Sequence, residues 1–309
     1  MARPVITNLS STPTIILRLD PFFGPSFNQR NLTVLKGNPD LEPAKTHNFD
    51  ASFEWYDNRI GVVKLGAFYK RIDNLLETVD AFGSVGLEGV AGVLPSDPRY
   101  QDVIANPDNY DILIRTPVNS QKAAEIWGFE VALEKQFTKL PGALSGLGIY
   151  ANYTFSDSSK QLPLNFFDPV VNAAGTGISL TNTRVVLEDV PFNGQAKHSG
   201  SVAVTYNKYG FDGNVAYTHQ GRRINAPAAF YLHDYEEAFA TLDARLAYDF
   251  EMGPGKFKVF VEGSDLLRGA EDSARNLAIG GALQDQPKYI YSRSFFGGRQ
   301  LRIGFGATF

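Results

Sequence analysis

The chain has 309 residues, 29 Lys and Arg against 33 Asp and Glu, and a formal net charge of -4, which leaves no clustered basic face for phosphate neutralisation and excludes nucleic acid as a partner. Cysteine is absent, so disulfide frameworks, thiolate metal sites and cysteine nucleophiles are excluded as well. Mean hydropathy is -0.18, and no apolar run reaches the roughly 18 to 20 residues of a spanning helix; a membrane barrel stays open, because its strands show lipid only every second side chain.

Taken in chain order, the segment Met1 to Ser10 has no apolar core of signal-peptide length. Gly37-Asn38-Pro39-Asp40-Leu41-Glu42-Pro43 is punctuated by two X-Pro steps that keep the chain extended as it enters the next segment. Strict period-two alternation follows. Phe49, Ala51, Phe53 and Trp55 oppose Asn48, Asp50, Ser52, Glu54 and Tyr56, then Val63, Leu65, Ala67 and Tyr69 oppose Lys64, Gly66, Phe68 and Lys70. Trp127, Phe129, Val131 and Leu133 oppose Gly128, Glu130, Ala132 and Glu134, and Leu147, Ile149, Ala151, Tyr153 and Phe155 oppose Gly148, Tyr150, Asn152, Thr154 and Ser156.

The rule repeats with Val202, Val204 and Tyr206, with Phe211, Val215 and Tyr217, with the even positions from Leu242 to Phe250, and with Phe257, Val259 and Val261. It closes with Leu301, Ile303, Phe305, Ala307 and Phe309 against Arg302, Gly304, Gly306 and Thr308. One face suits lipid and the other water. On this reading a charge is tolerated at Ser52 or Gly304 far better than at Phe53 or Ile303.

About nine strands of roughly ten residues result, the length a tilted strand needs to cross a bilayer. Their connections are short at 57–60, 138–146, 208–211 and 251–255 and long at 75–122, 156–194, 222–238 and 266–297. Short and long ends segregate, as periplasmic turns and extracellular loops do in outer-membrane barrels. Trp55, Tyr56, Trp127, Tyr153, Phe155, Tyr217, Tyr248 and Phe250 fall near strand ends, where amphipathic rings sit at headgroup level. The expectation is an all-β, antiparallel, partial transmembrane β-barrel. A soluble sandwich or lipocalin-like barrel also alternates, but it would have to gather the apolar faces into one dry core.

The segment from Gly37 to Pro43, followed by Thr46-His47-Asn48-Phe49-Asp50-Ala51-Ser52-Phe53-Glu54-Trp55-Tyr56, resembles the part of TonB-dependent receptors that leads an extracellular loop into a mid-barrel strand. Phe68-Tyr69-Lys70-Arg71-Ile72-Asp73-Asn74, Gly128-Phe129-Glu130, Leu242-Asp243-Ala244-Arg245-Leu246 and the terminal Gly298 to Phe309 match in the family's order. The resemblance implies a 22-stranded barrel with an amino-terminal plug, of which residues 1–309 would be the carboxy-terminal portion without plug or early strands. Arg3-Pro4 looks like the end of a strand whose body is absent, so the chain reads as a truncated reading frame or a fragment. By the same resemblance it lies in the outer membrane of a Gram-negative bacterium with a periplasmic carboxy terminus, among phospholipid and lipopolysaccharide. The terminal strand ending in Phe309 looks like the signal for the barrel assembly machinery, and TonB would act only through the missing plug segment.

The implied function is active uptake of a scarce nutrient, such as a siderophore-iron complex, captured by loops and lumen. The alternatives are a passive porin-like channel or structural barrel, and a barrel-embedded hydrolase. Candidate ligand contacts in the long connections are Arg115, Phe166, Phe167, Arg222, Arg223, Tyr231, His233, Tyr235, Tyr289 and Tyr291, since Arg and aromatic side chains combine stacking with directional hydrogen bonds. His233-Asp234-Tyr235-Glu236-Glu237 has metal-capable side chains, but its spacing matches no zinc or calcium motif, and no metal or cofactor is expected. Gly263-Ser264-Asp265 lacks the second Gly of a nucleophile elbow, so no enzymatic activity is expected.

Overall fold

The computed structural model describes residues 14–18, 30–35, 37–82, 105, 110–171, 178–227, 233–267, 274–279, 289–295 and 298–308. Eighteen strands occur among them. They are β1 (Thr14–Arg18), β2 (Arg30–Leu35), β3 (Lys45–Asp57), β4 (Gly61–Asp73), β5 (Leu76–Phe82), β6 (Tyr110–Asn119), β7 (Ala124–Gln136), β8 (Leu147–Val171) and β9 (Ile178–Val190). The second half holds β10 (His198–Lys208), β11 (Phe211–Gln220), β12 (Arg223–Ala226), β13 (Asp234–Glu236), β14 (Phe239–Met252), β15 (Gly255–Ser264), β16 (Ala274–Ile279), β17 (Tyr289–Phe295) and β18 (Gln300–Thr308). By contact the chain divides into two compact units, residues 1–47, 71–125 and 159–190, and residues 48–70, 126–158 and 191–309.

The second unit is built on nine strands of a ten-stranded sheet, in the order β18-β15-β14-β11-β10-β8-β7-β4-β3; the tenth, β9, pairs off this path with the part of β8 that belongs to the first unit. The nine strands of the path are the nine that alternation predicts. The sheet is open in its hydrogen bonding, with β3 and β18 as its two ends. Register carries the alternation from strand to strand, because directly opposed residues of an antiparallel pair share a face. Val204 stands opposite Ile149 and Val215, Val215 opposite Ala244, and Ala244 opposite Gly263. Leu246, Val261 and Ile303 form a second such row, and Tyr248, Val259 and Phe305 a third.

This apolar face is bare: Ile303 is 87% exposed and Phe49 67%. The buried apolar side chains among the described residues are Leu41, Ala44, Ala124, Leu164, Val190, Ile224 and Ala247, with no Phe, Tyr or Trp in the set. Among the described residues the dry aromatic core that a sandwich or lipocalin-like barrel requires is therefore not formed, and a surface of this extent needs an apolar solvent.

The opposite face is polar and internally paired. Arg302 donates to Glu262 at 2.9 Å, Lys258 lies 3.4 Å from Asp249, Lys64 lies 3.3 Å from Glu54, and Asn152 donates to Ser201 at 2.8 Å. Glycines on this face serve as floors for aromatic rings. A Cβ on Gly128 would meet Phe68 Cζ at 2.6 Å and the Phe155 carbonyl oxygen at 2.2 Å, and one on Gly304 would meet Phe260 Cζ at 2.2 Å. Gly304, expected to accept a charge far better than Ile303, faces water in the sequence pattern but lies under a ring in the fold, so any side chain there must first displace Phe260.

The short turns are chemically specified. Asp57 Oδ1 accepts from the amides of Arg59 at 2.6 Å and Ile60 at 2.9 Å, closing the β3–β4 turn. Tyr209 and Gly210 form a two-residue β10–β11 turn with φ of 57° and 80°, the left-handed pair that matches strand twist. The β7–β8 turn contains a 3-10 segment, Gly142–Gly146.

In the first unit, β1, β2, β6 and β5 make a four-stranded sheet in which β2 and β6 run parallel. The segment Gly37 to Pro43 is clamped rather than merely punctuated. Asn119 accepts from the Glu42 amide at 2.8 Å and donates to the carbonyls of Glu42 at 2.9 Å and Asn74 at 3.0 Å, while Asn74 donates to the Glu42 carboxylate at 2.7 Å. Asn74 has φ 57°, a conformation in which Asn is tolerated. The connections read from sequence as long loops thus carry strands of their own: β5 and β6 in 75–122, and the outer part of β8 with β9 in 156–194.

Candidate functional site

The ligand candidates of the second unit gather on a small sheet of order β12-β13-β16-β17 in the long connections. β12 and β13 pair with Arg223 opposite Glu236 and Ile224 opposite Tyr235, with a register shift before Ala226 opposite Asp234. Alternation then sorts the cluster. Arg223, Asn225, Asp234 and Glu236 lie on one face, and Arg222, Ile224, His233 and Tyr235 on the other.

On the first face Arg223 Nε donates to Glu236 Oε2 at 2.8 Å and a terminal guanidinium nitrogen reaches the same oxygen at 2.5 Å; Asn225 donates to Asp234 Oδ2 at 3.2 Å. On the second face the Arg222 guanidinium carbon lies 3.5 Å from the Tyr235 ring centroid, and its Nε lies 3.5 Å from Glu237 Oε1. The His233 ring meets the Tyr235 ring edge-on, at 6.0 Å and 77°. His233 and Glu236 are buried. Burial, with the Arg222 charge as a lesser cause, holds the His233 imidazole below its ordinary range, so the neutral form is favoured. Burial also pushes the Tyr235 phenol up; Arg222 opposes this and Glu237 adds to it.

This arrangement presents a neutral imidazole and an arginine-stacked phenol on one side and a closed ion pair on the other. The metal-capable residues 233–237 do not converge, because alternation puts His233 and Glu236 on opposite faces. Among the described residues no group of three or more His, Asp or Glu is placed to hold a metal ion.

The remaining candidates fall elsewhere. Tyr289 and Tyr291 lie on β17, the far strand of the small sheet. Tyr231 lies outside the described residues, as does Phe309. Arg115 belongs to the first unit, on β6, at the register position shared by Leu35 and Asp80; Phe166 and Phe167 lie on the outer part of β8, opposite Arg184 and Thr183. Ser264 ends β15 and Asp265, at φ 56°, donates its amide to Asp243 at 2.8 Å, leading into a turn and not a helix. Of the residues that organise these connections, Asn119 carries no sequence signal as a site residue and Glu236 enters only within the metal-capable run 233–237; its pairing with Arg223 would have been visible only with the register known.

An open antiparallel sheet with one bare apolar face, one ion-paired polar face and short turns at one rim defines the wall of a transmembrane β-barrel. The family model described as TonB dependent receptor-like, beta-barrel, matches residues 3–266, and the chain belongs to this family of outer-membrane barrels. Among solved structures it is similar to the ferric citrate transporter FecA in its unliganded form, at 16% identity and a TM-score of 0.45, covering 86% of this chain and 31% of that one. It is also similar to the siderophore receptor PirA from Acinetobacter baumannii, at 16% identity and a TM-score of 0.46, covering 89% of this chain and 33% of that one. The chain thus spans about a third of the length of these structures. No curated protein sequence matches it.

Proposed function

We propose that the chain is the carboxy-terminal barrel portion of an outer-membrane receptor that takes up a scarce nutrient, of which a metal chelate such as a siderophore-iron complex is the leading class. The observation that carries this reading is the family match over residues 3–266, joined to a sheet whose bare face carries continuous cross-strand rows of apolar side chains. In this reading the long connections face outward from the cell, the short turns and carboxy terminus face the periplasm, and the terminal strand engages the barrel assembly machinery. Energy arrives from TonB through a plug carried on another part of the receptor. The Arg222–Tyr235 stack, with the buried His233 ring set edge-on against Tyr235, supplies a cationic, ring-bearing surface to an anionic or aromatic ligand.

The test joins the chain to the coding sequence upstream of Met1 and expresses the product in a receptor-deficient strain. Ferric-chelate uptake that is lost when TonB is removed supports the proposal. Uptake indifferent to TonB and to ligand identity would favour a passive channel instead.

A further inference from the structure

Turns between barrel strands are ordinarily polar, yet the short turns of the ten-stranded sheet are tipped with large apolar side chains. Ile60 in the β3–β4 turn is 50% exposed, Leu144 in the β7–β8 turn 52%, Tyr209 in the β10–β11 turn 63%, and Met252 at the β14–β15 turn 66%. A cation stands beside two of these tips, and another beside a further apolar residue of the β7–β8 turn. Arg59 precedes Ile60, Lys139 precedes the exposed Leu140, and Lys208 places its ammonium 4.8 Å from the Tyr209 ring centroid.

One tip and one of these cations continue the apolar face. Met252 follows Phe250 at even spacing on β14, and Lys208 shares its register position with Phe211. The Lys208 ammonium donates to the Gly142 carbonyl at 2.8 Å, drawing the 3-10 segment that carries Leu144 toward that side of the sheet. Just inside lies a run of packed rings, Phe211 to Tyr248 at 4.6 Å, Tyr248 to Phe250 at 5.8 Å, Phe250 to Phe257 at 5.5 Å and Phe257 to Phe305 at 5.9 Å. Aromatic rings followed by aliphatic tips with adjacent cations match the layering of a bilayer surface, where apolar groups enter the acyl boundary and Lys or Arg snorkels to phosphate.

We propose that the short-turn rim is a membrane anchor: Ile60, Leu144, Tyr209 and Met252 enter the headgroup and acyl boundary of the adjoining phospholipid leaflet, and Arg59, Lys139 and Lys208 bind its phosphates. The rim is sunk in the leaflet surface and does not stand clear in water. This rests on the reading that the apolar face of the sheet lies in lipid.

Because the chain has no cysteine, single-cysteine variants can be labelled without background. Ile60→Cys, Leu144→Cys and Met252→Cys are each labelled with a polarity-sensitive fluorophore in the full chain, reconstituted in phosphatidylethanolamine and phosphatidylglycerol vesicles. Quenching is read with aqueous iodide and with phospholipids spin-labelled near the headgroup or deep in the acyl chain. Ile303→Cys reports the sheet face. The expected result is several-fold stronger quenching of the turn labels by the shallow spin label than by iodide, with Ile303 quenched by the deep one. Turn labels reached freely by iodide while Ile303 stays lipid-quenched would overturn the anchor alone, as would turn labels shielded from both quenchers, the pattern of a protein seated on the rim. An Ile303 label reached by iodide would bring down the spanning reading and the anchor with it.

Discussion

Gly304 lies beneath the ring of Phe260 on the neighbouring strand, its register partner, so that an added Cβ would stand 2.2 Å from Phe260 Cζ. The ring is the covering and the glycine is the space for it. Gly304→Ala should destabilise the β15–β18 pairing by about 1–3 kcal/mol, the usual range for overpacking. Combining it with Phe260→Ala should recover much of the loss. Denaturant titration of the chain in detergent micelles, run as a double-mutant cycle, measures both; purely additive losses would mean the ring does not occupy that space.

The bare face and the paired face should respond oppositely to charge. Ile303→Lys should cost about 2–4 kcal/mol in a bilayer, the penalty for a cation near the midplane of a lipid-facing barrel strand. Ser52→Lys, on the polar face of β3, should cost far less. Unfolding in phospholipid vesicles compares them, and equal costs would show that the faces are misassigned.

Asn119 binds the Glu42 backbone on both its amide and its carbonyl, standing in for a strand partner. Asn119→Ala removes three hydrogen bonds at once and should weaken the clamp by about 1–3 kcal/mol. Hydrogen exchange of the Glu42 amide should accelerate while the β10–β11 amides keep their rates. Unchanged exchange at Glu42 would assign the clamp to other contacts.

His233 is buried and held below its ordinary pKa of 6.5, while in the unfolded chain it titrates at that value. Its contribution is therefore fully present above the unfolded pKa and is lost as pH falls through the lowered folded one. Between about pH 7 and about pH 5, protection of the Asp234 to Glu236 amides, corrected for intrinsic rates, should decline, and His233→Phe should flatten that dependence. Protection that rises on acidification would contradict the buried neutral imidazole.

The nine strands of the main path were legible because each alternates over enough residues to fix its faces, and from β8 to β18 register aligns those faces without a slip. The strands missed by sequence reading are of a different kind. β12 and β13 are four and three residues long, too short for periodicity to declare itself. β2 and β6 pair in parallel across more than seventy positions, and no local turn signal announces such a pair. The candidate site shared this limit. Arg222, His233 and Tyr235 were named for their chemistry, but their common face depends on the β12–β13 register shift, and Glu236 entered only as part of a cluster its own side chain leaves.

One face of the sheet meets lipid and the other water. A cysteine scan along β10 from Ser201 to Tyr206, in the cysteine-free chain reconstituted in vesicles, tests this most directly. Lipid-borne spin labels should quench fluorophores at positions 202, 204 and 206, and aqueous iodide those at 201, 203 and 205, in strict alternation. Iodide access at all six positions, or a period other than two, would contradict it.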